Sequence, residues 1–207
     1  MPSALVGSQL TIERGHRAVI RSLSFRAVAG EALVLTGPNG AGKTTLIRAI
    51  AGFLPLAAGV LKLEGGDDDR DLGEQCHYVG HANAVKANLT VHENLAFWAG
   101  YLGSDAASVP GALEAFSLTD LARAPAAMLS AGQRRRVGLA RLLVARRSVW
   151  LLDEPTVSLD ATSVRLLAEA VTRHCASGGI AVAATHLPLG LDNARELRLG
   201  DPSAEAA

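Results

Sequence analysis

Gly37-Pro38-Asn39-Gly40-Ala41-Gly42-Lys43-Thr44 is the stretch on which the reading of this chain turns. It satisfies the pattern GxxxxGK[ST] in full, and each position has a physical task. Glycines let backbone N–H groups turn inward and approach phosphate oxygens closely. Lys43 brings a mobile positive charge to the β- and γ-phosphates of a nucleoside triphosphate, and the Thr44 hydroxyl suits Mg²⁺. The surroundings match this task. Residues 32–35 are a compact apolar run that predicts a buried strand, and residues 43–51 predict a helix. Leu46, Ile47 and Ile50 share one face of that helix, and Gly52 suits its C-terminal stop. A helix starting here directs its positive end at the same anion. Residues 37–44 together with Thr45 are therefore the candidate phosphate cradle.

A second cluster lies further along. Val149-Trp150-Leu151-Leu152-Asp153-Glu154 is an apolar run ending in two acids. A buried strand would deliver Asp153 to the C-terminal edge of a sheet, where ligands bind in α/β folds. Asp153 is then a candidate Mg²⁺ contact through water, and Glu154 the candidate general base or orienter for an attacking water. Residues 180–184 repeat the buried-strand pattern, and His186 follows them, able to donate a hydrogen bond to a transferred phosphoryl group. Between these strands, Val164, Leu167, Ala168 and Val171 mark the expected buried face of a helix.

Leu129-Ser130-Ala131-Gly132-Gln133 precedes an arginine-rich helix whose apolar face carries Val137, Ala140 and Val144. Ser130 reads as its N-cap, which makes a second anion-binding helix start from Ser130, Gly132 and Gln133. With this third element the chain resembles the ATP-binding cassette (ABC) family. LSAGQ closely matches that family's LSGGQ signature. Pro155, Ser158, Leu159 and Asp160 match the segment after its Walker B motif, and His186 matches its switch histidine. The resemblance implies a P-loop NTPase of the ABC type: a mixed core sheet, an antiparallel β subdomain and an inserted helical subdomain. It also implies ATP and Mg²⁺ as ligands, and a head-to-tail dimer in which the signature of one copy closes over ATP held by the other.

Composition is compatible with one such domain. The 207 residues are 49% apolar, with 20 Lys and Arg against 20 Asp and Glu. Zero net charge gives no electrostatic case for nucleic acid, and 4% aromatics gives none for a base-stacking surface. No run approaches the roughly 18 apolar residues of a membrane span, and the start lacks a basic-then-apolar signal pattern. The expected location is thus cytoplasmic, with Cys76 and Cys175 as reduced thiols. The acidic stretch 65–71 reads as a solvated loop, since it lacks the spacing of a calcium loop. Residues 5–35 read as antiparallel strands. Residues 90–147 turn helical, with Val91, Leu95, Trp98 and Leu102 at helical spacing. The expected division is a core of 1–80 and 148–201, a helical insert of about 81–147, and a frayed tail at 202–207.

Two positions depart from the family pattern. His81 stands where the family has a glutamine that senses Mg²⁺ and water, so the resemblance makes His81 a candidate metal contact. Arg14-Gly15-His16 stands where an adenine-stacking aromatic is usual, and the planar side chain of Arg14, or that of His16, is the candidate substitute. Further details are similar to one branch, the ATPases of haem exporters in cytochrome c biogenesis. These are Gly80-His81, Glu93-Asn94-Leu95 followed by Phe97-Trp98, LSAGQRRRV, and Thr185-His186-Leu187-Pro188-Leu189. That branch carries histidine in place of the glutamine. It implies integral membrane partners and a peripheral position on the cytoplasmic face of the bacterial inner membrane. The helical lobe, with Val91, Leu95, Phe97 and Trp98, is the expected docking region, and most of that stripe is expected to pack internally. An ABC ATPase for another cargo, and a soluble ABC protein acting on ribosomes or DNA, are the alternatives.

Overall fold

A computed structural model describes residues 2–15, 17–185, 189–191 and 194–200. The chain divides into two compact units. The first comprises Met1–Tyr78, Arg147–Glu154 and Val171–Ala207, and the second Val79–Arg146 and Pro155–Ala170. The second unit thus includes a stretch beyond the sequence's helical insert, namely the start of the helix that follows Glu154.

In the first unit, β1 (Ala4–Arg14) pairs antiparallel with β2 (Arg17–Val28) and with β4 (Ala58–Glu64), giving the order β2-β1-β4. A second sheet has the order β5-β6-β7-β3-β8. It comprises β3 (Ala32–Thr36), β5 (Cys76–Val79), β6 (Val149–Asp153), β7 (Ile180–Ala184) and β8 (Ala194–Arg198). β6, β7, β3 and β8 run parallel. Every residue of β6 and β7 is buried, the pattern of parallel strands covered on both faces. β8 is mostly exposed, as suits an edge strand, and its Glu196 receives a hydrogen bond from Thr36. Of the stretch read as antiparallel strands, 32–35 belongs to this parallel sheet, where it pairs with β7 and β8.

Helix α1 (Lys43–Ile50) packs against β6 and β7. Leu46, Ile47 and Ile50 are fully buried in a single core that both sheets share, each contributing about 1.5–3 kcal/mol by removal from water. The last turns of α5 (Ala161–Ala176) also belong to this unit.

The second unit contains α2 (Val91–Tyr101), α3 (Val109–Ala115), α4 (Ala131–Ala140) and the start of α5. Thr90 and Glu93 form a capping box at α2, which fixes its start. Val91 and Leu95 are fully buried, so they pack internally and are no docking face, while Phe97 and Tyr101 are exposed. The buried face of α5 is Ser163, Leu167, Ala170 and Val171; Val164 and Ala168, read from the sequence as core, are only half-buried. Val144 is buried but lies beyond α4, after a 3₁₀ turn over Arg141–Leu143. Among the described residues no helix is long and apolar enough to cross a membrane.

Candidate functional site

β3 ends at Thr36 and α1 begins at Lys43, so residues 37–42 form the whole connection. Its shape requires glycine at two points. Gly37 has φ 125°, and a Cβ there would lie 2.3 Å from the Leu199 carbonyl oxygen. Gly42 has φ 101° and caps α1, and a Cβ there would meet Ile20 at 2.9 Å. No side chain caps this helix start. Its first backbone N–H groups have no intrahelical acceptor, which is the donor set an anion uses. Pro38, Asn39 and Gly40 are exposed and Ala41 half-buried, forming the open rim of the loop. Lys43 is buried, and its Nζ donates to the carbonyl oxygens of Gly37 at 2.7 Å and Pro38 at 3.1 Å, which folds the ammonium over the loop. Thr45 is buried beside it.

β6 brings Asp153 to the same place. The Thr44 hydroxyl donates to Asp153 Oδ1 at 2.8 Å across 109 residues of sequence. Asp153 is fully buried, and its Oδ2 has no hydrogen-bond partner among the described residues. An orphaned carboxylate oxygen at 0% exposure is costly without a cation or water to satisfy it. A hard oxygen-seeking divalent cation fits this pair of ligand oxygens.

Glu154 follows directly, with its N–H donating to the Ala184 carbonyl at 2.8 Å. Its φ is 49°, in the left-handed region that favours glycine. Strain of this kind, costing about 1–3 kcal/mol, persists where the surroundings dictate the conformation and clusters at functional sites. Nothing in the sequence pattern signals it.

In the second unit, Ser130 caps α4 with a reciprocal pair. Its Oγ accepts from the Gln133 N–H at 3.2 Å, and Gln133 Oε1 accepts from the Ser130 N–H at 2.8 Å. Ser130 and Ala131 are exposed. Ala131 is the first residue of α4, where a Cβ costs nothing, so alanine fits in place of the family's glycine. Gly132 lies under Ser158, whose carbonyl oxygen would be 3.1 Å from an added Cβ. Asp160 caps α5, accepting from the Ser163 N–H at 2.7 Å, and that hydrogen bonding holds its carboxyl below the ordinary range.

His81 is exposed in the segment after β5, within the second unit. Arg14 is exposed at the end of β1, opposite Arg17 in the hairpin. Among the described residues neither forms a hydrogen bond or ion pair with the residues above. His16 and His186 lie outside the described residues, as do Leu187 and Pro188. Among the described residues no group of His, Cys, Asp and Glu forms a metal cage, and Cys76 and Cys175 are buried free thiols. Burial pushes the Cys76 thiol up to about 12, which favours the neutral thiol.

One residue that the sequence reading passed over stands out. Arg135, on α4, is buried yet charged. It donates to the carbonyl oxygens of Pro155 at 3.1 Å and Gly80 at 2.7 Å, and to Asn83 Oδ1 at 3.1 Å. It hid within Arg134-Arg135-Arg136, a run that reads as a solvated face.

A glycine-bounded loop with buried Lys43, the Thr44–Asp153 hydrogen bond and a serine-capped second helix start are features that suit an ATP-hydrolysing enzyme of the cassette class. The family profile described as ABC transporter matches residues 20–157, and the chain belongs to that family. It is 52% identical over 196 residues to the cytochrome c biogenesis ATP-binding export protein CcmA of Rhodopseudomonas palustris (strain BisB5), covering 95% of this chain and 98% of that one. The CcmA protein of Nitrobacter winogradskyi is 53% identical over the same shares. Among solved structures, the ATP binding subunit of an ABC transporter superposes with a TM-score of 0.84 at 24% identity, covering 95% of this chain and 86% of that chain, a likeness of fold.

Proposed function

We propose that this chain is the ATPase of a membrane complex that exports or releases haem, or a haem-loaded chaperone, in cytochrome c biogenesis. The observation that carries this reading is an identity near one half over 95% of the chain with proteins named for that export. Its partners are a second copy of itself and integral membrane subunits, and it works on the cytoplasmic face of the bacterial inner membrane. Nucleic acid has no part in it, consistent with zero net charge.

Hydrolysis follows from the site's residues. The loop 37–42 and the start of α1 bind the phosphates through backbone N–H groups, and Lys43 exchanges its two carbonyl partners for β- and γ-phosphate oxygens. Thr44 and Asp153 would hold Mg²⁺, Asp153 through water. When bound, that ion neutralises charge accumulating on the phosphate oxygens. Glu154 accepts a proton from water as the water oxygen attacks the γ-phosphorus. The bond from γ-phosphorus to the bridging oxygen breaks, and its electron pair leaves with ADP. His186 donates to the transferred group, His81 would contribute to holding the metal, and Arg14 stacks on adenine. Ser130, Gly132 and Gln133 of the second copy close over the γ-phosphate, so ATP holds two copies together and hydrolysis releases them.

The test of cargo is genetic and spectroscopic. Removing this chain from its host should abolish haem-stained c-type cytochromes while b-type spectra persist, and Glu154→Gln should fail to restore them. Normal c-type cytochromes in the deletion strain would assign the chain to another cargo and leave the ATPase reading intact.

A further inference from the structure

The segment between β5 and α2 looks like a loose connection in the sequence, but the helical unit grips it at successive points. Arg135 Nη1 donates to Gly80 O at 2.7 Å and to Asn83 Oδ1 at 3.1 Å. On α4 one turn further, Gly138 lies so close that a Cβ would sit 3.0 Å from the Asn83 carbonyl oxygen. From α2, Trp98 Nε1 donates to Ala84 O at 3.0 Å. Asn94, also on α2 and buried, accepts from the Lys86 N–H at 2.7 Å and donates to Lys86 O at 3.0 Å. The Trp98 ring is itself held under the Arg141 guanidinium, 4.3 Å away. His81 and Ala82 are exposed in the gripped stretch between Gly80 and Asn83.

The same guanidinium reaches the other way. Arg135 Nε donates to Pro155 O at 3.1 Å, and Pro155 is covalently next to Glu154. A planar guanidinium offers several donors in a fixed fork, so one side chain holds two segments at a set separation, which a flexible ammonium cannot do. Buried at 3% exposure, it acts where each such bond is strongest and most costly to lose.

We propose that Arg135 is a positioning residue for ATP hydrolysis: it locks the His81 segment and the Pro155 segment onto the helix that Ser130 heads, so that all three shift as one body when that helix engages ATP. Arg135 touches neither substrate nor metal in this scheme. It makes the closure of the signature helix, the placement of His81 and the backbone setting beside Glu154 a single event. The proposal rests on the ATPase reading above.

Hydrogen–deuterium exchange on the full-length chain tests it, with Arg135→Gln and Asn83→Ala beside wild type. In Arg135→Gln, amides of 80–86 and of 156–158 should both exchange about tenfold faster, while those of 37–44 stay within about twofold. ATP hydrolysis by the same protein should lose about tenfold or more in kcat with KM within about twofold, because the cradle is untouched. Arg135→Lys should not rescue kcat. Asn83→Ala removes one acceptor and should speed exchange in 80–84 alone, which carries the test should Arg135→Gln fail to fold. Unchanged exchange in 80–84 in Asn83→Ala, acceleration of only one segment in Arg135→Gln, or an unchanged kcat, overturns the proposal. Wild-type hydrolysis abolished by Glu154→Gln establishes the underlying reading separately.

Discussion

Asp153 is fully buried, with one carboxylate oxygen unpartnered among the described residues. Its Oδ1 already has the Thr44 hydroxyl, so Oδ2 alone is left to meet a cation. Asp153→Asn keeps an acceptor for Thr44 and nearly the same shape, but removes the negative charge. We expect the Mg²⁺ concentration for half-maximal hydrolysis to rise about 10- to 100-fold. ATP binding measured in chelator should be unchanged, since Lys43 and the loop 37–42 supply it. A magnesium titration of the purified variant decides this, and an unchanged midpoint would remove Asp153 from the metal site. The contrast with Glu154 is instructive. Both acids are plain in the sequence as the end of an apolar run, because strand burial and the position of charge are local properties. The left-handed backbone of Glu154 is not, since it is imposed by the Ala184 carbonyl on a neighbouring strand.

At the level of elements, the turn from α5 into β7 contains a titratable lock. The His174 ring stacks flat on Trp150, with centroids 4.1 Å apart and planes 6° from parallel, and contacts the Ile180 carbonyl at 3.2 Å. A Cβ on Gly179 would fall 2.2 Å from that ring, so the turn is closed over it. Burial lowers the His174 pKa to about 4, against the opposing pull of the Ile180 and Ser148 carbonyls. The unfolded chain protonates near 6.5. Between these values the unfolded state binds more protons, so stability falls as pH drops from about 6.5 to about 4 and is fully present above that window. The loss is on the order of 2–3 kcal/mol. Urea unfolding midpoints across this range should slope downward for wild type and flatten for His174→Phe, which keeps the stack without a titrating group. Equal slopes would mean the imidazole is not sealed. Sequence alone marks 180–184 as a buried strand, but not this stack, because Trp150 and His174 meet only after β6 and β7 pair. The same limit explains the other omissions. β8 has a polar edge-strand sequence with no apolar signal, the order β5-β6-β7-β3-β8 is a long-range property, and Arg135 looks solvated until its acceptors are brought to it. The glycine-rich loop and the N-cap at Ser130 are readable because each is complete within a few residues.

For the whole molecule, the two halves of the machinery fall in different units. Lys43, Thr44, Asp153 and Glu154 belong to the first, and Ser130, Gly132 and Gln133 to the second. The proposed composite site draws these sets from different copies, which makes a prediction that no self-contained site could satisfy. Ser130→Arg leaves a sound cradle and base but a ruined signature. Glu154→Gln leaves a sound cradle and signature but no base. In either homodimer both sites lack one part, so each variant alone should be nearly inactive. A mixed dimer is different: the first copy's Glu154 then faces the second copy's Ser130, and that one site is complete. Random pairing at equal concentrations makes about half the dimers mixed, each with one working site of two, so about a quarter of wild-type hydrolysis should return. If every catalytic part came from the same copy, mixing two dead proteins could restore nothing. A steady-state ATPase assay of the mixture, with each variant alone as reference, separates these outcomes, and a rate no higher than the references would refute the shared site.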